Sequence, residues 1–513
     1  MTSTSLEQGG QVTEAPDPRR WLALGVIAVA QLMIVLDATI VNIALPKASA
    51  DLGISTADRQ WMVTAYTLAF GGLLLLGGRI ADYNGRKRTF IIGLIGFAVA
   101  SAIGGVAQSE AMLFAARALQ GAFAAIMAPA ALSLVTVTFT EPKERAKAFG
   151  VFGAISGGGA ALGLILGGVL TEYASWRWCL GVNFPIAVAT AFAAAAVVHE
   201  SKAHGDTRYD IPGALLATLG LVSLVYGFTE AAKQKSTINP KTHQPDIVGW
   251  TGASTIAFLV AAVVLLVAFF VWESRAANPM LPLRIILDKN RGGSYLVFLL
   301  VGAGLFAMFL FLTYYFQLNL GYSPLKAGFA FLPFSLGIIV TAGVAAQLLP
   351  RVGPRPLLLT GLVMGVLGML WLTRLEQTSS YWAHVLPSEV IISVGMALVF
   401  IPASSTALVG AGGHDAGIAS AVLNTSQQIG GSLGTALLNT LFASAVTSYI
   451  TTHVAAATTK PAQAALALES TMHGYRTAFF WGGVLLFVAL VAAALLVTAH
   501  KEDVPTDGAM AVA

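Results

Sequence analysis

Apolar and polar residues alternate along this chain on the scale of whole helices rather than single turns. Fourteen apolar runs, each close to the ~20 residues that a bilayer crossing needs, fall near 22–45, 60–78, 89–107, 111–136, 146–170, 179–198, 211–230, 250–272, 293–317, 325–348, 356–373, 384–406, 417–445 and 477–499. Short polar segments separate them. The pattern predicts an all-α polytopic membrane protein with no soluble domain large enough to work alone. An even number of crossings puts both termini on one side.

Lysine and arginine choose the side. With the termini cytoplasmic, 18 of the 29 basic residues lie in cytoplasmic segments, ten lie in external ones, and one, Arg117, lies inside a run. The excess comes from Arg79 to Arg88, Lys143 to Lys147, Arg275 to Arg291, and Arg351 with Arg355, as the positive-inside rule requires. Residues 1–20 are polar and lack the apolar stretch of a signal peptide, so the first run is expected to be the insertion signal. The tails, 1–21 and 500–513, read as short, disordered and cytoplasmic.

Composition agrees. Hydrophobic residues make up 56% of the 513 and charged residues 11%, against roughly 25% charged in a soluble chain; mean hydropathy is +0.76. The 53 glycines suit helices that pack closely in lipid. A formal charge of +4 is explained by the loops and gives no nucleic-acid surface. The single cysteine, Cys179, has neither a disulfide partner nor zinc-type companions.

The runs carry a weak internal symmetry. The loop after the second holds Asp82 and Gly85-Arg86-Lys87-Arg88; the loop after the tenth reads Pro350-Arg351-Val352-Gly353-Pro354-Arg355, a degraded copy. If the match holds, six spans in 22–198 repeat as six in 293–499, with 199–292 as an inserted pair and its linkers. Paired bundles of this kind are the layout of a rocking secondary transporter.

Several stretches, in order, carry a family resemblance. They are Leu36-Asp37-Ala38-Thr39-Ile40-Val41-Asn42-Ile43-Ala44-Leu45-Pro46, the loop Gly78 to Arg88, Arg117-Ala118-Leu119-Gln120-Gly121, Trp176-Arg177-Trp178 with Asn183-Phe184-Pro185, Gly321-Tyr322-Ser323-Pro324, and Asn424 to Gly431. Together they resemble the fourteen-span drug:proton antiporters of the major facilitator superfamily over nearly the whole chain. The resemblance implies two six-helix bundles plus an inserted pair, moving around a central cavity. One departure stands out: the family's fifth helix usually carries Gly-Pro before Gly-Gly, and here Leu164 follows Gly163, ahead of Gly167 and Gly168. Without the proline kink a straighter helix is expected, and the support for export is reduced. Gly159, Gly163 and Gly167 still form a small-residue stripe, suited to packing or to motion.

Charge within the hydrocarbon is costly, so each such residue is a functional candidate. Asp37 and Arg117 lie at similar depth on antiparallel helices, in reach of one cavity. An acid that exchanges a proton beside a fixed cation is what proton coupling needs; a permanent pair fixing helix register is the plain alternative. Glu389, inside the twelfth run, is a candidate second proton or cation site, whereas Glu230 reads as solvated at the interface. Tyr314, Tyr315 and Gln317, with Phe316, form either an interfacial aromatic belt or a cavity wall. Gln427 and Gln428 point about 100° apart on one helix, so only one can face a cavity squarely. Asn42, Gln120 and Asn424, the amides of the signature stretches, complete the expected substrate lining. Thr64 stands where some relatives that export dications carry an acid.

By resemblance, Gly78, Asp82, Gly85 and Arg86 gate the conformational change, with Asp82 and Arg86 latching the cytoplasmic ends of the halves and Asp82 approaching a helix N-terminus. Gly163, Gly167 and Gly168 are the matching candidates on the fifth helix. The expected function is proton-driven export of amphipathic small molecules by a monomer in a bacterial cell membrane, with no cofactor. Sodium coupling stays open, as do lipid or self-made antibiotic cargo and an envelope partner at the polar segment Ala231 to Gly249, itself readable as a plain hairpin connection. A membrane-embedded enzyme is disfavoured, because the histidines (His199, His204, His243, His414, His453 and His473 among them) show no metal-ligand spacing.

Overall fold

The computed structural model describes residues 18–202, 209–238, 245–409 and 413–503. Most of the expected tails, 1–17 and 504–513, lies outside them, as do His204 and His243. Hydrocarbon offers no partner for a backbone amide, so each apolar run closes its hydrogen bonds internally. The helices are α1 (Arg20–Leu52), α2 (Trp61–Asn84), α3 (Arg86–Gly105), α4 (Glu110–Thr138), α5 (Pro142–Tyr173), α6 (Trp178–Val197) and α7 (Ile211–Ala232). They continue as α8 (Ala253–Glu273), α9 (Lys289–Asn319), α10 (Pro324–Val352), α11 (Pro354–Leu372), α12 (Tyr381–Leu408), α13 (Gly413–His453) and α14 (Lys460–Leu496). Among the described residues, thirteen contain a stretch long and apolar enough to cross a membrane; α5 has a shorter apolar part, Gly158–Tyr173.

One expectation needs correction. Residues 460–476 read as loop but form the first turns of α14, where Thr459 caps the helix by accepting from the Ala462 amide and Pro461 occupies the first turn. The segment is too polar for a span yet rich in alanine, and alanine favours helix wherever it sits. The α7–α8 connection contains a short hairpin: β1 (Gln234–Ile238) and β2 (Pro245–Ile247) pair antiparallel, Gln234 opposite Ile247 and Ile238 opposite Pro245.

Helices α1–α6 pack on one another, as do α9–α14. The two groups meet along two seams, α2 against α13 and α5 against α10. Helix α7 lies over the first seam, touching both α2 and α13, with α8 packed outside it. Matched glycines mark both groups: Gly85 (φ 110°) joins α2 to α3 and Gly353 (φ 88°) joins α10 to α11, both with the positive φ that glycine tolerates. Gly53 and Gly321 (φ 66° and 63°) do the same one loop earlier.

The α1–α2, α3–α4, α5–α6, α9–α10, α11–α12 and α13–α14 loops share one end, here called the Asp51 end; the α2–α3 loop lies at the other, the Asp82 end. The apolar core crosses between the groups toward the Asp51 end, where Ile40, Ile43, Leu45 and Trp176 belong to the same cluster as Phe311, Tyr314 and Phe331, and along the α2–α13 seam, where Leu68 and Ala436 share a smaller cluster with α7. Toward the Asp82 end the first group keeps a separate core, including Leu24, Phe90, Phe97 and Phe139.

Candidate functional site

Asp37 lies midway along α1 and is fully buried, as is Arg117 on α4. Arg117 Nη1 donates to Asp37 Oδ2 at 2.6 Å. Gln120, one turn on and therefore on the same face of α4, donates from Nε2 to Asp37 Oδ1 at 3.0 Å, and Asn183 Nδ2 at the start of α6 donates to the same oxygen at 2.9 Å. The shell beyond is also satisfied. Gln120 Oε1 accepts from Arg117 Nη1 (2.9 Å), Gln120 Nε2 reaches Ser101 Oγ on α3 (2.8 Å), and Arg117 Nε donates to the Met62 carbonyl on α2 (2.8 Å). The guanidinium carbon sits 4.5 Å above the Tyr66 ring. Five helices therefore converge on one carboxyl.

An ionised carboxylate only accepts, and here every near neighbour donates. A protonated acid would set its own O–H against Arg117, Gln120 or Asn183. The geometry is that of ionised Asp37. Gln120, expected to line the substrate cavity, is instead buried inside this network, while Asn42 bonds within its own helix through the Ala38 carbonyl.

The Asp51 end is sealed by contacts between the two groups of helices. Tyr314 Oη meets Ser49 Oγ at 3.0 Å, Gln317 Nε2 donates to the Ile43 carbonyl (2.9 Å), Glu172 Oε2 accepts from the Leu325 amide (2.9 Å), and Ser432 Oγ donates to the Thr64 carbonyl (3.2 Å). Arg59 is buried at the centre of this seal. Its guanidinium carbon lies 4.1 Å from the Tyr314 ring centre and 5.0 Å from that of Phe442, and its Nε donates to Asn439 Oδ1 at 3.3 Å. Asn439 Nδ2 returns a bond to the Thr56 carbonyl (2.9 Å). Tyr314, Tyr315 and Phe316 are buried, so they form neither a lipid-facing belt nor an open wall. Tyr314 is part of the closure, whereas Tyr315 and Phe316 pack within the second group, against Tyr475 and Phe331.

Paired helix bundles of this kind have known counterparts. The family model for the Major Facilitator Superfamily matches residues 27–435. The chain belongs to the Major Facilitator Superfamily. Puromycin resistance protein pur8 of Streptomyces alboniger is 48% identical over 97% of this chain and 95% of its own length. Cephamycin export protein CmcT of Amycolatopsis lactamdurans is 40% identical over 82% and 84%. Among solved structures, a bacterial homologue of the human lysosomal transporter Spinster superposes with a TM-score of 0.64, covering 96% of this chain and all of that one at 15% identity, a likeness of fold.

The superfamily's loop signature takes a local form here. Asp82 Oδ1 accepts from Arg86 Nε and Nη2 at 3.0 and 2.9 Å, a pairing within the loop and not across the halves. The acid at the N-terminus of α3 is Glu200, accepting from the Lys87 and Arg88 amides (3.1 and 3.0 Å) and lying where a Gly85 side chain would have to go. Asp82 therefore does not take the helix-capping or latching position expected of it. Gly78 faces Pro129 of α4 with ordinary spacing.

The fifth-helix glycines pack α1 and α10. A methyl on Gly163 would stand 2.0 Å from Thr39 Oγ1, one on Gly167 2.7 Å from the Ile40 carbonyl, and one on Gly168 2.7 Å from the Leu325 backbone across the seam. Gln428 fits against Gly71 of α2, whereas the backbone of Gln427 fits against Gly302 of α9. Asn424 is exposed in the first half of α13 and bonds the Ser420 carbonyl. Glu230 pairs with Lys233 at the interface.

Sequence reasoning gave no site role to Asn183, Ser101, Arg59 or Asn439, although Asn183 stands in one of the signature stretches. Asn183 and Ser101 gave one usable signal, a polar residue interrupting an apolar run. Arg59 gave none, since it sits among Asp58 and Gln60 and reads as an ordinary loop cation.

Proposed function

We propose that the chain is a proton-coupled exporter of amphipathic small molecules, working by alternating access in a bacterial cell membrane with both termini cytoplasmic. The named relatives support export: one is a puromycin resistance protein and another a cephamycin export protein. Orientation rests on the basic residues of the Asp82 end. On that orientation the sealed end is external and the protein waits for cargo from the cytoplasm.

The observation that carries the coupling is the ionised Asp37 held by donors from two other helices. An antiporter open to the cytoplasm has already released its proton there. Cargo then enters, the halves rock, and the external side supplies the next proton. Protonation at Oδ2 removes the acceptor that holds Arg117 Nη1. The guanidinium then keeps Gln120 and the Met62 carbonyl, and α1 is left tied to α4 by the neutral Gln120 bond to Oδ1 alone while still seated in the glycine stripe of α5. Because α5 also meets α10 at Gly168, a shift of α1 reaches the seam. Asp82 and Arg86 are the candidates for closing the cytoplasmic end in the opposite state.

Reconstituted vesicles provide the test. An imposed pH step, acidic on the external side, should drive accumulation of a cationic dye by wild-type protein, and Asp37→Asn should abolish accumulation while still allowing downhill exchange. Sodium-driven accumulation without a pH step would replace the proton, and cargo-independent lipid flipping would replace the cargo.

A further inference from the structure

The second group of helices holds its own buried acid, and its surroundings are the reverse of those at Asp37. Glu389 lies in α12 just past its opening turn, fully buried. Among the described residues it makes one hydrogen-bond contact, 3.4 Å between Oε2 and Tyr381 Oη, and its Oε1 has no partner. Tyr381 Oη in turn donates to the Ala330 carbonyl of α10 at 2.8 Å. A phenol has one hydrogen, and the Ala330 carbonyl can only accept, so the shorter contact takes it. The longer contact then holds together only if Glu389 supplies the proton.

The neighbours agree. From α11, the Gly368 carbonyl is taken by the Ser388 hydroxyl. In the opening turn of α12, His384 Nδ1 meets the Ser380 carbonyl rather than the acid. From α10, the Lys326 ammonium is parked 3.8 Å over the Tyr322 ring. The space beside Tyr381 is filled by the Phe316 ring, 5.9 Å away centre to centre. Burying a carboxylate with neither cation nor donor is far costlier than burying the neutral acid. Two π-helical turns also meet here, Tyr315–Asn319 closing α9 and Tyr381–Val385 opening α12, a distortion that recurs at functional sites.

We infer that Glu389 is a second proton-binding site, occupied while the Asp51 end is closed. The α9–α10 loop is its cover: Tyr322 stacks on Phe316 at 6.1 Å, and the chain three residues on is pinned to Glu172 of α5 through the Leu325 amide. Opening that end breaks the Glu172 contact and uncovers the acid. Closing it seals the carboxyl with its proton. Asp37 and Glu389 thus hold opposite protonation states in one conformation. The transport cycle gives this proton a use, and in that respect the inference rests on the antiport reading.

Infrared spectroscopy of the purified full-length protein in liposomes tests it without any transport. At neutral pH the wild type should show a carboxylic-acid C=O band that shifts on exchange into deuterium oxide and disappears in Glu389→Gln. Tyr381→Phe, which keeps the acid and removes its partner, should move the band to higher frequency without loss of area, and it reports on Glu389 even if the glutamine variant fails to fold. A wild-type spectrum without the band, or a band unmoved by both substitutions, overturns the assignment. A band in protein that moves no cargo under a pH step would leave the assignment standing and sink the antiport reading instead.

Discussion

Asp37 and Glu389 are both buried carboxyls, one in each six-helix group, and their surroundings could hardly differ more. Asp37 meets a guanidinium and two amides, themselves bonded onward to Met62 and Ser101; Glu389 meets one phenol and a wall of rings. Depth in the membrane does not decide whether an acid is charged. The count of donors does. The first site stores a charge balanced in place, and breaking it leaves a cation behind. The second stores a neutral group, and nothing around it depends on a charge.

The largest expected effect follows from that asymmetry. Asp37→Asn strands Arg117 in the core and should destabilise the protein by about 3–5 kcal/mol, the usual cost of removing one partner of a buried pair, read from denaturant unfolding in detergent. Asp37→Asn with Arg117→Met should recover most of that loss. If the double variant is no better than the single, the pair is not what holds these helices.

Next comes the seal. Arg59→Ala removes two ring contacts worth about 1–2 kcal/mol in a desolvated setting, which should raise the open population at the Asp51 end by roughly tenfold. Thiol labelling of Ser49→Cys, in a background with Cys179→Ser, measures it; unchanged labelling would mean that Arg59 is a passenger.

Glu389→Gln should cost no more than about 1 kcal/mol, because the amide replaces the neutral acid and can still donate to Tyr381. A loss as large as that for Asp37→Asn would erase the distinction between the sites.

The smallest effect serves as a surface control. Arg20 donates to Glu144 at 2.9 and 2.8 Å and holds its carboxyl below the ordinary value. The contribution of this pair is complete above the ordinary carboxylate range and is lost as pH falls through the depressed value. Arg20→Ala should remove that slight acid dependence of unfolding and leave transport unchanged.

The parts legible in the sequence were those that lipid makes conspicuous. A charge inside an apolar run stands out, so Asp37, Arg117 and Glu389 could be picked by residue type alone, and lysine and arginine implied the orientation. Neutral polar residues do not stand out, because a serine or asparagine in a span usually bonds its own helix, as Asn42 and Asn424 do. Asn183 and Ser101 differ only in what lies opposite them, which periodicity does not encode. Tyr314 and Gln317 were placed at the correct depth but assigned the wrong neighbour, since a belt residue and a seal residue carry the same pattern. The first turns of α14 were lost for a related reason: a search for hydrocarbon-length runs is blind to helix that continues into water.

Helix α5 runs from Pro142 to Tyr173 without an internal proline, about 48 Å at 1.5 Å per residue. Its pliant stretch is Ser156-Gly157-Gly158-Gly159 at mid-length. Beyond it, the part from Gly159 to Gly168 lies against α1 by one row of glycines and against α10 by the next. On the alternating-access reading that outer part is a single lever, through which a shift of the opening helix reaches the far bundle.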